Sequence, residues 1–149
     1  MLKRIELVEG PQELAVPLAA VKTHLRVDHD DEDGLIAAYL DAATSHLDGL
    51  NGTLGIALSP QTWRAVFSPG SDITCLPLGP VISRSEPVTS GDEVSVEFVA
   101  GFSGGVPQPI QAAIMLHVGT LYQNREQEAD KWQPTRAYEA LLAPWRRWT

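Results

Sequence analysis

Apolar positions along this chain follow two rhythms, and the switch between them divides the sequence. After a polar lead over residues 1–16, Leu18, Val21 and Leu25 recur at helical spacing and predict a short helix from Leu18 to Leu25. An acidic connector, Val27 to Asp33, follows. A second, longer helix is predicted from about Asp33 to Leu50, with Leu35, Ile36, Tyr39, Leu40, Ala43, Leu47 and Leu50 as its apolar stripe. Asp41, Ser45 and Asp48 fall on the opposite face. Asn51 and Gly52 supply the stop, since both tolerate the left-handed conformation that closes helices. Two helices joined by a short turn should pack as a hairpin.

From Gln61 to Phe67 the period becomes two, with Trp63, Ala65 and Phe67 on one side and Thr62, Arg64 and Val66 on the other. Ile73–Leu76 and Val94–Val99 are two further strand candidates, and the polar segment from Ser83 to Glu93 reads as a loop or hairpin tip. Helical spacing resumes after Pro107-Gln108-Pro109, where proline suits a first turn that has no use for its missing N–H. Ile110, Ala113, Ile114, His117, Val118 and Leu121 form one face of a long helix reaching about Gln127, and a short helical piece from Ala137 to Leu142 stops at Pro144. The expected fold is mainly α with a small antiparallel β element: a helical hairpin plus a long C-terminal helix. One domain should span 1–149, as a lead (1–16), a body (17–128) and a tail (129–149).

Composition narrows the function classes. With 44% apolar and 20% charged residues, the 149-residue chain can build an ordinary core, and no apolar stretch is long enough to span a bilayer. No secretory signal pattern opens it, so synthesis in the cytoplasm is expected. The net charge of −8 argues against a broad phosphate-gripping face. Ten of the 19 acidic residues fall within residues 1–50, and the last third is slightly basic.

Candidate chemistry is sparse. Asp28, Asp30 and Glu32 alternate like the opening of a calcium loop, but glycine falls at position 34 and Tyr39 stands where a bidentate carboxylate is needed. The run reads instead as helix-start electrostatics, with Asp30 or Asp31 able to cap the second helix. No two of the four histidines have zinc-site spacing, and His117 on an apolar helical face reads as a hydrogen-bonded core residue. The single cysteine, Cys75, reads as a buried inert thiol and excludes an intrachain disulfide. The glycines at 101, 104 and 105 lack the Lys-Ser/Thr of a phosphate loop. Neither catalysis nor a cofactor is indicated. Trp145, Arg146, Arg147 and Trp148 at the chain end admit two readings: an anchor ordered by a partner, since Trp and Arg dominate interface hot spots, or Trp145 folded back on its own domain with the arginines solvated.

Taken in order, several segments resemble the phage head–tail connector (adaptor) family, found also in prophages and gene transfer agents. They are Pro17 to Asp33, with its Leu-x-x-x-Lys-x-His-Leu-Arg-Val core, then Pro60-Gln61-Thr62-Trp63, and Val96 to Phe102 running on to Val106-Pro107. Leu121 to Glu126 and Leu141 to Arg146 complete the set. The stretch between Pro80 and Val94 is shorter than in many relatives, which place a larger β-hairpin there. The resemblance implies a structural, non-enzymatic subunit of an oligomeric ring, usually of twelve copies, in the virion neck. That ring would sit between a portal protein and a stopper or tail-completion protein, letting DNA pass without specific binding and touching no membrane. It further implies that the tail residues Trp145, Arg146, Arg147 and Trp148 dock onto the portal. The acidic set Asp28, Asp30, Asp31, Glu32, Asp33, Asp41 and Asp48 would face the lumen or a subunit seam, where carboxylates repel DNA. The rivals are another neck ring protein (a stopper or tail terminator) and an acidic DNA-mimicking module.

Overall fold

The computed structural model describes residues 1–124 and 132–146. It shows a mixed α/β fold with a five-strand antiparallel sheet and four helices, not the mainly α domain expected. The order is β1 (Leu2–Glu9), α1 (Leu18–Leu25), α2 (Asp33–Leu47), β2 (Gln61–Phe67), β3 (Val81–Arg84), β4 (Val88–Ser90), β5 (Glu93–Ala100), α3 (Gln108–Gln123) and α4 (Arg136–Leu142). A single 3-10 turn, Ala143–Trp145, follows α4.

The excess of sheet comes from segments whose sequence is polar. β1 lies in the segment read only as a polar lead, because Lys3, Arg4, Glu6 and Glu9 mask its alternation. It is a strand because it lies along β2 in antiparallel register, Ile5 opposite Ala65 and Leu7 opposite Trp63. β4 and the second half of β3 likewise fall in the segment from Ser83 to Glu93 read as a loop or hairpin tip, and every residue of both strands is exposed. Edge strands need only one paired neighbour and can leave most side chains in water, so hydrophobic patterning under-reports them. The sheet runs β1-β2-β5-β3, with β4 pairing β5 beyond the end of β3.

Three other expectations change. Ile73–Leu76 is not a strand; its apolar side chains cover one face of the sheet instead of pairing with it. Among the described residues no long helix closes the chain: the 16-residue α3 is followed by α4 of only seven residues. Helix α2 ends at Leu47, short of the predicted Leu50. Gly52 is needed for space and not for a left-handed stop, because a Cβ there would lie 2.1 Å from the Leu47 carbonyl oxygen.

The helices form where the apolar spacing placed them. α1 closes with Arg26 in the left-handed conformation (φ 60°), its N–H donated to Thr23 O at 3.1 Å and that of Val27 to Lys22 O at 2.9 Å. Two cores result. The helical core holds Val21, Ile36, Leu40, Ile110, Ile114 and Leu142, with α3 packed against both α2 and α4. The sheet core sets Ala65, Phe67, Val96 and Phe98 against Leu76 and Leu78.

Gly101 sits where β5 leaves the sheet toward the helical core. Its φ is +136°, and a Cβ would lie 2.7 Å from the backbone of Pro60. Its N–H donates to Pro80 O at 2.9 Å and the next N–H, of Phe102, donates to Leu58 O at 2.8 Å. Alanine at 101 combines backbone strain with a clash that no side-chain motion relieves. Gly101→Ala should therefore destabilise by on the order of 3 kcal/mol in urea denaturation. Gly104→Ala, with nothing near its added Cβ, should lie within about 0.5 kcal/mol of the wild type.

Candidate functional site

Among the described residues no group of His, Cys, Asp or Glu is placed to hold a metal ion, and no helix is long and apolar enough to cross a membrane. The features that could act are surfaces. The acidic front lies at the α1–α2 turn. Lys22, near the end of α1, reaches across it to Asp30 at 2.6 Å and Asp33 at 2.8 Å. These contacts raise the Lys22 pKa, and the lysine holds the Asp30 carboxyl below its ordinary value. No carboxylate caps α2: Glu32 occupies the cap position without a side-chain capping bond, and Asp33 N–H donates to the backbone oxygen of Asp30 at 3.3 Å. Asp28, Asp30, Asp31 and Asp41 are exposed, while Glu32 and Asp33 are half-buried.

Asp48 does not join that surface. Its side chain turns inward at the end of α2 and accepts from Leu58 N–H at 2.8 Å and from Gln61 Nε2 at 3.1 Å. Gln61 in turn accepts from Trp63 Nε1 at 2.9 Å. The chain Asp48–Gln61–Trp63 thus ties the end of α2 to the start of β2. Burial raises the Asp48 pKa, and the hydrogen bonds from Leu58, Gln61 and Gly49 oppose part of that shift.

At the other end of the chain, Trp145 is half-buried and meets Phe102 edge to face, ring centres 5.9 Å apart. Arg146 pairs with Glu139. Arg147 and Trp148 lie outside the described residues. Trp145 also walls an apolar groove of about 470 Å³ with Ile56, Leu76, Leu78, Val81 and Phe102. Cys75 lines the same groove and is exposed, not buried, because its segment does not enter the sheet.

Sequence reading missed two constellations. The first is an aromatic cluster. His117 of α3 is buried, but its Nδ1 has no hydrogen-bond partner among the described residues; the ring stacks on Trp132 at 3.8 Å. Tyr138 meets Trp132 at 4.8 Å, and His46 lies 5.6 Å from His117. This cluster seats the segment that carries α4 and Trp145. Trp132 stands in a polar stretch, and only its size hinted at burial. The second is a charged ladder on the outer sheet face, where Arg4 pairs with Glu6 (2.7 Å) and Glu93 (2.7 Å), and Arg64 with Glu97 (2.5 Å) and Glu6 (3.6 Å). Its members are far apart in sequence, so only the strand register unites them.

The phage gp6-like head–tail connector protein family matches residues 16–142. Among solved structures, the chain is similar to a subunit of the "Neck of empty GTA particle computed with C6 symmetry", with TM-score 0.74 and 21% identity over 99% of this chain and 97% of that one. A subunit in the "Virion of native gene transfer agent (GTA) particle" matches at TM-score 0.73 and 21% identity, with the same coverage. One in the "Neck of native GTA particle computed with C12 symmetry" matches at 0.74 and 20%, again over 99% and 97%. No curated protein matches significantly.

Two outcomes follow from the geometry. Asp48→Ala strands the Leu58 N–H and leaves the Gln61 amide only Ser59 O (3.2 Å) as acceptor, and should cost about 1–3 kcal/mol by chemical denaturation. His117 is held neutral, its pKa pushed down to about 4 chiefly by burial and further by His46. The unfolded imidazole takes a proton near pH 6.5, so stability should be full above that pH and fall as pH drops from 6.5 toward 4. Urea midpoints at pH 7 and pH 5 should differ, and His117→Gln should remove much of the difference.

Proposed function

This chain belongs to the phage gp6-like head–tail connector family, and from that premise we propose that it serves as one subunit of an oligomeric ring docked beneath the portal of a phage-like particle. Connection, not catalysis, is the work of the family. The observation that carries the reading is the family match over residues 16–142, supported by likeness along almost the whole chain to subunits of gene transfer agent necks.

The tail and the acidic turn supply the finer roles. Trp145 and Arg146, held by Phe102 and Glu139 at one end of the helical core, start the segment that docks on the portal, with Arg147 and Trp148 continuing it. Asp28, Asp31 and Asp41 present exposed carboxylates that suit a DNA lumen or subunit seam, where negative charge lets DNA slide. Asp30, Glu32 and Asp33 stand in the same acidic turn. Asp48 drops out of the set because its carboxylate is engaged inside the fold. A stopper or tail closes the other side of the ring.

Light scattering of the chain mixed with the portal ring of the same particle tests this reading. The expected result is a portal-dependent gain of about a dozen subunits. Deletion of 147–149 leaves the Trp145–Phe102 and Arg146–Glu139 contacts in place, and deletion of 144–149 removes them. Both truncated chains should keep the wild-type circular dichroism spectrum, and the longer deletion should abolish binding. Undiminished binding after the longer deletion would overturn the tail's role, and no association of the wild type with an intact portal would overturn the portal as partner.

A further inference from the structure

The two edges of the sheet are built to meet each other. Among the described residues β1 pairs with β2 alone, and β3 and β4 pair with β5 alone, so each side of the sheet ends in a strand with one row of free backbone groups. All neighbours are antiparallel. β1 and β5 therefore run one way, and β2, β3 and β4 the other. A second copy brought alongside by rotation about a ring axis keeps its strand directions, so its β1 would run antiparallel to β3 and β4 of the first, and the alternation would continue across the seam.

Side chains on the two edges agree with that continuation. Leu7 of β1 is 52% exposed and Val81 on the opposite edge 44% exposed, while Val88 of β4 stands opposite Ser95, on the other, charged face beside Arg4 and Glu97. Leu7 stands opposite Trp63 in the β1–β2 register, and Val81 stands opposite Ala100 in the β3–β5 register. Trp63 and Ala100 belong to the same sheet core, so Leu7 and Val81 share a face, and joining the edges would extend one apolar layer from copy to copy. A closed ring needs two different patches on each subunit, whereas a two-fold dimer would use one patch twice. Apolar exposure at both edges suits the ring.

We propose that β1 of one copy adds to the β3–β4 edge of the next, so that neighbouring subunits share a continuous antiparallel sheet. This rests on the ring reading above and names the seam that closes it.

The test uses the full chain with Cys75→Ser, so that the exposed native thiol does not react, assembled on its portal ring. Leu7→Cys is combined in the same chain with Val81→Cys or Ile82→Cys. Under mild oxidation at least one pair should give a ladder of covalent multimers beyond the dimer, and no single variant should. Separately, Leu7→Lys with Val8→Lys should weaken assembly about tenfold without changing the circular dichroism spectrum or Tm. A ladder from any pair supports the seam whether or not the lysine variant assembles. Rings of normal mass from the lysine variant, together with no ladder from any pair, would overturn the seam and leave the ring reading standing. Failure of the wild type to form a ring at all would overturn both.

Discussion

The fold depends on the junction made by Asp48, Gln61 and Trp63. The helical and sheet cores are separate apolar clusters, and the chain passes between them through residues 48–61. Burying a carboxylate there is unfavourable by itself, which is why its pKa rises. The cost is offset by hydrogen bonds from the Leu58 peptide N–H and the Gln61 side-chain amide. Such a polar contact is directional where apolar packing is not. It ties the end of α2 to the start of β2, the strand that pairs with β1 on one side and β5 on the other.

Beyond that junction, the sheet has both edges and one face uncovered by the described residues. The uncovered face carries exposed ion pairs, which contribute little to stability in water but leave few charged groups unmatched. At the far end of the helical core, α4 and Trp145 are seated by rings from α3 and from residues 132–138, a neutral His117 among them. The proposed seam and the proposed portal contact are carried by sheet and helices respectively and come close at Val81, which lines the groove that Trp145 walls.

Helices α1, α2 and α3 were legible because each buries a stripe, and burial of a stripe imposes a 3.6-residue period on sequence. β2 and β5 were legible for the same reason at period two. The edge strands were not: β1 has two half-buried residues and β3 and β4 none, so no period was imposed. Ile73 and Leu76 misled in the opposite sense, since apolar residues bury equally well by lying across a sheet as by joining it. Asp48 read as a surface carboxylate because α2 was expected to continue past it; the helix ends at Leu47, and the next residue turns inward.

The sequence by itself determined where the helices and the two central strands form, that no catalytic or metal constellation is written in it, and, through ordered segments from Pro17 to Arg146, its kinship with connector subunits. Those properties are local, carried by spacing within a window of a few turns. The tertiary structure alone decided how much sheet there is, which carboxylate is structural, where Trp145 rests, and which apolar residues remain at the edges. Each of these depends on partners distant in sequence, such as Leu7 with Trp63 or Trp145 with Phe102, and no local period records a partner that far away.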